Sequence, residues 1–235
     1  MSNFYKTKIL TSIKSFKEID LVLKKRVDII DFKNPANGSL GALPPNKINI
    51  LLKNIPSNQK TSATIGDVYD INEIKKKVMV LSKTNIDFIK IGFFFNEKKI
   101  KLLKDLKKLA KRKKIIAVIF ADKKPNINLI KEIKKNNFDG VLIDTKKKNG
   151  GNLINYLSLK KLENFIEISK KENLSIGLAG SLNIKHINPL IKLNPDYLGF
   201  RGALCSEKKR KESINELLLN RVISKFRSFS FQKSI

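Results

Sequence analysis

The sequence predicts an α/β fold, a single-domain (β/α)8 TIM barrel, on three observations. Eight short β-branched or apolar runs alternate with Lys-rich stretches whose apolar residues recur at helical spacing. No shift of composition and no linker divides the 235 residues. Hydrophobic residues make up 41% of the chain, enough for one large core. Strands alternating with helices in this way close into a barrel with few insertions at this length. The catalytic barrel is expected over residues 1–226, and 227–235 reads as a polar-aromatic tail. The rival is an open doubly wound sheet, which gathers its ligand residues at one switch point instead of around a ring.

In order, the expected strands are Lys8–Ser12, Val27–Phe32, Ser62–Gly66, Asp87–Phe93, Ile115–Ala121, Gly140–Asp144, Ser175–Ala179 and Asp196–Phe200. Each is a short run of β-branched and apolar residues flanked by Lys, Asn or Gly. The stretches between them carry helical spacing. Ile100, Leu103, Leu106 and Leu109 form one such set, and Leu162, Phe165, Ile166 and Ile168 another. Such helices bury one face and leave Lys and Glu on the other. Asn136-Asn137, Asn173 and Pro195 mark helix boundaries.

Several function classes are excluded by composition. Every apolar run is interrupted by Lys, so no segment reaches membrane-span length. Met1 to Leu10 lacks the apolar stretch of a secretory signal, and a cytoplasmic location is expected. One Cys and one His supply neither an internal disulfide nor a zinc cage. The net charge of +28 invites a nucleic-acid reading, but only six of the basic residues are Arg and the rest are Lys. Base-reading surfaces rely on Arg, and stacking motifs of interleaved basic and aromatic residues are lacking. Lys is spread over nearly every segment beside abundant Ile and Asn, all three encoded by AT-rich codons. A basic nucleic-acid-binding protein therefore stands only as the non-enzymatic alternative, and comparing isoelectric points across the same genome discriminates it.

Active sites of such barrels lie at the C-terminal strand ends, and the unusual polar residues fall there. The second strand ends with Asp31 and Lys33, two apart and on one face. The third presents Asp67, the fifth Asp122, and the sixth Asp144 followed by Lys146, Lys147 and Lys148. Lys90 sits inside the apolar fourth strand, and Arg201 ends the eighth. Asp67 and Asp122 can equally be helix N-caps, and the Lys triplet can equally be a solvated loop. Lys33 and Lys90 differ, because an ammonium inside an apolar strand is costly unless paired or functional. Asp31 is their natural counter-charge.

These residues suggest a chemistry. A Lys among other cations and partly desolvated has a lowered pKa, so its neutral amine attacks a carbonyl and forms a Schiff base. A second Lys then moves protons, and the pair suits aldol-type carbon–carbon bond formation. Leu-Ala-Gly-Ser at 178–181 and Arg-Gly-Ala at 201–203 follow strands seven and eight, where barrels often hold a phosphate on backbone N–H groups. No dinucleotide, P-loop or zincin pattern occurs. His186 reads as a packed or capping residue and Cys205 as a small buried hydrophobe.

Ile-Ile-Asp-Phe-Lys-Asn-Pro-Ala-Asn-Gly-Ser-Leu-Gly-Ala at 29–42 resembles the opening signature of the (5-formylfuran-3-yl)methyl phosphate synthase family of methanofuran biosynthesis. The likeness continues through Ser-Ala-Thr-Ile-Gly-Asp (62–67), Phe-Ile-Lys-Ile-Gly (88–92), Ala-Asp (121–122) and Leu-Ile-Asp-Thr (142–145). Leu-Ala-Gly-Ser-Leu (178–182), His-Ile (186–187) and Gly-Phe-Arg-Gly-Ala-Leu-Cys (199–205) complete it, so it covers nearly the whole chain.

The resemblance implies a barrel similar to class I aldolases, a lyase that condenses two glyceraldehyde 3-phosphates with loss of water and phosphate. The family's Schiff-base Lys matches Lys33, its proton-accepting Lys matches Lys90, and its acidic neighbour matches Asp31. A further Asp and Lys match Asp144 and Lys148, the latter ambiguous by a residue within the triplet. Gly180, Ser181, Gly202 and Ala203 fall where a phosphate is expected, with Arg201, Asp67 and Asp122 as further substrate-binding candidates. No metal or cofactor is called for, because the iminium is the electron sink. The expected partner is a phosphorylated small molecule, with a homo-oligomer open. The enzymatic alternative is another Schiff-base aldolase acting on triose or sugar phosphates.

Overall fold

The computed structural model describes residues 7–95, 97–148 and 150–231. Eight parallel strands, β1 (Lys8–Ile13), β2 (Ile29–Phe32), β3 (Lys60–Thr64), β4 (Phe88–Gly92), β5 (Lys114–Phe120), β6 (Gly140–Asp144), β7 (Ser175–Leu178) and β8 (Tyr197–Phe200), close in sequence order into one barrel. The fold is therefore a single-domain TIM barrel, and all eight expected strands are present. β3 ends two residues earlier than expected, because the chain turns out of the sheet at Gly66 in the left-handed region (φ +96°).

Helices α1 (Phe16–Lys24), α2 (Pro45–Leu52), α3 (Ile71–Leu81), α4 (Leu106–Leu109), α5 (Leu129–Lys135), α6 (Leu153–Tyr156), α7 (Leu159–Lys171), α8 (Ile187–Ile191) and α9 (Glu216–Phe231) surround the barrel. The set Ile100, Leu103, Leu106 and Leu109 does not form one α-helix. A 3₁₀ segment spans Glu97–Leu103, and only the short α4 follows. These residues are spaced three apart, which is the 3₁₀ period and not the α period of 3.6. α9 continues through Phe231, past the start of the segment read as a tail, and Arg227 donates to the Lys25 carbonyl at 2.7 Å. Residues 232–235 lie outside the described part of the chain.

Alternation along the strands makes two cores. In β5, Ile115, Ala117 and Ile119 pack outward under the helices, while Ile116, Val118 and Phe120 fill the lumen. The same parity sends Ile30 and Phe32 outward and Ile29 inward on β2, and Ile89 and Ile91 outward on β4. Asp31, Lys33, Lys90 and Asp144 occupy the inward parity of their strands. They therefore converge over the lumen, where no helix face could bring them together.

A fourfold device fixes the register at the opposite end of the barrel. Asp28, Asp87, Asp139 and Asp196 each precede an even-numbered strand. Their carboxylates accept the second backbone N–H of the preceding odd strand, from Ile9, Thr61, Ile115 and Ile176, at 2.6–2.8 Å. Each aspartate's own N–H returns a bond to the same residue's carbonyl. Pairing is thereby pinned where the strands begin, and the loops at their other ends are left to carry the site.

Candidate active site

Asp31 is fully buried in the lumen, and register explains its surroundings. Ser12 on β1 and Ser62 on β3 are its in-register neighbours. Their hydroxyls donate to its two carboxylate oxygens at 2.8 and 2.7 Å. Lys90 Nζ reaches Asp31 Oδ1 at 2.6 Å, with only 3% of the Lys90 side chain exposed. Burial pushes the Asp31 carboxyl up, but Lys90, then Lys33, and the donated hydrogen bonds outweigh it and hold the group below the ordinary range.

One layer higher, Lys33 follows β2. Its counter-ion is Asp144 at the end of β6 (Nζ–Oδ2 3.8 Å). The structure thus divides the pairing expected from the sequence, since Asp31 serves Lys90 while Asp144 faces Lys33. Burial drives the Lys33 pKa down, and Lys148, Lys90 and Arg210 add to this against the pull of Asp144, leaving it at about 7. Asp144 is itself held at about 2. Burial raises it, but Lys148 and Lys33, together with hydrogen bonds from Lys148 and the Thr145 N–H, lower it further.

The Lys triplet is resolved by its contacts. Lys148 Nζ bonds Asp144 Oδ1 at 2.6 Å and the Thr145 carbonyl. Burial depresses Lys148 as well, opposed by Asp144. Lys146 leaves the site and lies over the Tyr69 and Phe94 rings, 5.3 and 5.2 Å from their centroids. The Lys147 side chain is exposed.

Lys33, Lys90, Asp31, Asp144 and Lys148 line one cavity of about 200 Å³ with Gly180, Ser181, Arg201, Gly202 and Ala203. Gly180 and Ser181 both have positive φ (106° and 49°). Among the described residues neither of their N–H groups meets an acceptor, so this turn presents donors to the cavity where an anion could be held.

Two expected ligand residues, Asp67 and Asp122, face elsewhere, and a third, Arg201, lines the cavity with its nitrogens already engaged. The Asp67 carboxylate accepts from the N–H groups of Ser39 and Leu40 at 2.9 and 2.7 Å and from the Ser39 hydroxyl, fixing the loop after β2. Gly38 is required there, because it has φ +92° and an added Cβ would stand 2.4 Å from Asp67 Oδ2. The Asp122 carboxylate accepts from the N–H groups of Lys146 and Lys147 and fixes the loop after β6. Neither carboxylate lines the cavity, and neither caps its own following helix. Arg201 lines the cavity, but its nitrogens are committed to the carbonyls of Ser12, Arg210 and Glu212, with Glu18 Oε1 as counter-ion at 3.0 Å. It braces the segment after β8 from beneath.

Arg210, Lys208, Asn183, Ser12 and the lumen-facing Ser62 were not among the site residues expected from the sequence. The first two lie in the charged run Glu207–Lys211, which looks like any other Lys-rich loop. Scarcity of Arg was the usable signal, since two of only six are at this site. His186 is buried and its Nδ1 accepts from the Asn183 N–H at 3.1 Å, closing a cap. Cys205 is buried, with its thiol on the Arg201 and Glu212 carbonyls.

Comparison with known proteins adds to this geometry. Residues 9–223 match the model of the 4-HFC-P synthase family. The (5-formylfuran-3-yl)methyl phosphate synthase of Methanococcus aeolicus is 33% identical over 218 residues, covering 87% of this chain and 92% of that protein. The protein of that name from Archaeoglobus fulgidus is 28% identical over 228 residues, covering 90% and 96%. A solved 3-hexulose-6-phosphate synthase superposes with a TM-score of 0.67 over 93% of this chain and 99% of that one, at 14% identity, a likeness of fold.

Proposed function

The chain belongs to the 4-HFC-P synthase family, and from that premise we propose that it condenses two glyceraldehyde 3-phosphates into (5-formylfuran-3-yl)methyl phosphate through a Schiff base on Lys33. The role in methanofuran-type cofactor synthesis and the lyase class follow from that reaction. The observation that carries the proposal is the Lys33 amine, 7% exposed, with a pKa of about 7, beside two other amines, Lys90 and Lys148, that are each held by a carboxylate at 2.6 Å.

A lysine titrating near neutrality supplies a neutral nucleophile without losing its proton-accepting form. Lys33 attacks the carbonyl of one triose phosphate and water leaves, giving an iminium. The Lys90–Asp31 pair, one layer deeper, moves the proton that converts iminium to enamine. The enamine carbon adds to the aldehyde of the second triose. A hydroxyl oxygen of the adduct then closes the ring on the iminium carbon and expels the Lys33 amine, and loss of phosphate and a second water gives the aromatic furan, which makes the late steps irreversible. The Asp144–Lys148 pair stands beside the nascent iminium, where Asp144 offers the counter-charge and Lys148 a proton for departing water. The Gly180 and Ser181 N–H groups, without an acceptor among the described residues, favour a phosphate at that end, with Gly202 and Ala203 after the adjacent strand β8.

The test is product analysis. With glyceraldehyde 3-phosphate as sole substrate, a strong ultraviolet absorbance of a conjugated furan aldehyde is expected. A product with no such chromophore would instead mark an ordinary triose- or sugar-phosphate aldolase.

A further inference from the structure

A cavity of about 200 Å³ is smaller than the pockets that enclose drug-sized ligands, and it suits one phosphorylated triose better than two. Outside it, sharing Lys148 and Arg210 as a common wall, lies an open vestibule of about 650 Å³. Lys146, Lys147, Lys148, Arg210 and Lys211 line it, and among the described residues no carboxylate does. Part of this charge is pre-positioned. Lys146 is held over two aromatic rings and within 3.3 Å of the Tyr69 hydroxyl.

The two arginines at the site are used differently. Arg201 has each guanidinium nitrogen committed to a carbonyl and a buried glutamate beside it. Arg210 is half-buried, and among the described residues it makes no ion pair and a single hydrogen bond, Nη2 to the Gly38 carbonyl at 3.2 Å. Gly38 lies in the loop that follows Lys33, so Arg210 straddles the boundary between the two spaces with N–H donors to spare. Asp144 and Asp67 act on it only from beyond ion-pair distance; a partly desolvated guanidinium with no anion in contact is costly, and its planar fork matches a phosphate in two-point contact.

We propose that this vestibule, centred on Arg210, docks the phosphate of the second triose while the first is held as an imine on Lys33. This rests on the Schiff-base reading above and adds to it where the second substrate binds. Arg210 is thus a substrate-binding residue for the condensation step, and it bears on imine formation only through its charge, which helps to hold the Lys33 pKa down.

The test separates the two steps in Arg210→Gln and Arg210→Lys. Borohydride trapping with glyceraldehyde 3-phosphate at pH about 9, where Lys33 is neutral with or without the neighbouring guanidinium, should still give the Lys33 adduct in Arg210→Gln, whereas KM for furan formation should rise about ten- to a hundredfold. Arg210→Lys, which keeps the charge and loses the fork, should recover part of that loss. A wild-type KM in Arg210→Gln overturns the proposal, as does an adduct yield that falls in step with furan formation. Calorimetric titration with inorganic phosphate reads the vestibule without any chemistry. Two sites are expected in wild type and one in Arg210→Gln, and equal stoichiometry in both overturns the inference. Failure of the Schiff-base reading looks different, because wild type itself then gives no Lys33 adduct.

Discussion

Replacing Lys33 by methionine should make the protein more stable while abolishing the proposed chemistry. Methionine keeps the unbranched apolar stem and removes the ammonium. Burial, with the neighbouring cations, lowers the Lys33 pKa from 10.5 to about 7, and at 1.36 kcal/mol per pH unit the native state disfavours the charged form by about 5 kcal/mol. Below pH about 7 the amine is protonated in both folded and unfolded chains, and the full cost is present. Between about 7 and 10.5 the native state has lost its proton while the unfolded chain keeps it, so stability rises with pH across that window. The methionine variant has no such dependence.

The gap between variant and wild type should therefore be largest near pH 6, at about 2–5 kcal/mol in favour of the variant, and should close towards pH 10. Urea titrations of both proteins across this range measure it, and at about 2–4 °C per kcal/mol the difference is also readable as Tm. Asp144 does not become an uncompensated charge, because Lys148 Nζ stays 2.6 Å from it. A variant less stable than wild type at pH 6, or a gap independent of pH, would refute the account of Lys33 as a desolvated, functionally retained amine.

Other consequences follow from the same geometry. The acid limb of kcat/KM should fall near pH 7, with activity rising as Lys33 loses its proton. Asp144→Asn should move that limb to lower pH, because Asp144 is what raises the Lys33 pKa, and Lys148→Met should move it higher. Since Asp144 titrates at about 2 when folded against 3.8 unfolded, wild type should lose about 2 kcal/mol as pH falls from 4 through 2, a loss that Asp144→Asn lacks in acid titrations. Asp31→Asn leaves the buried Lys90 ammonium without its carboxylate, and a destabilisation of about 3–5 kcal/mol in urea, together with loss of furan formation, is expected.

Much of this was legible in the sequence because the chemistry contradicts its background. An ammonium at position 90 inside Phe-Ile-Lys-Ile-Gly is conspicuous, and period-2 alternation alone assigns Asp31 and Lys33 to one face. The partners were not legible. Asp31 and Lys33 sit in successive layers of the lumen, so each finds its counter-charge across the barrel, at Lys90 and Asp144, and that depends on strand stagger. Asp67 and Asp122 look like site carboxylates from their strand-end positions, yet both turn sideways to satisfy N–H groups of a neighbouring loop. Arg210 was hidden by its Lys-rich surroundings. The fourfold aspartate device was present as an Asp flanked by apolar, Pro or Gly residues before each even strand, at 28, 87, 139 and 196. It became meaningful only once the strands were paired.

The most direct test is to reduce the protein with borohydride in the presence of glyceraldehyde 3-phosphate and map the modified peptide by mass. A single substrate adduct on Lys33, with Lys90 and Lys148 unmodified, is the predicted result. No adduct, or one carried by Lys90 or Lys148 in place of Lys33, would contradict the assignment on which the proposed chemistry depends.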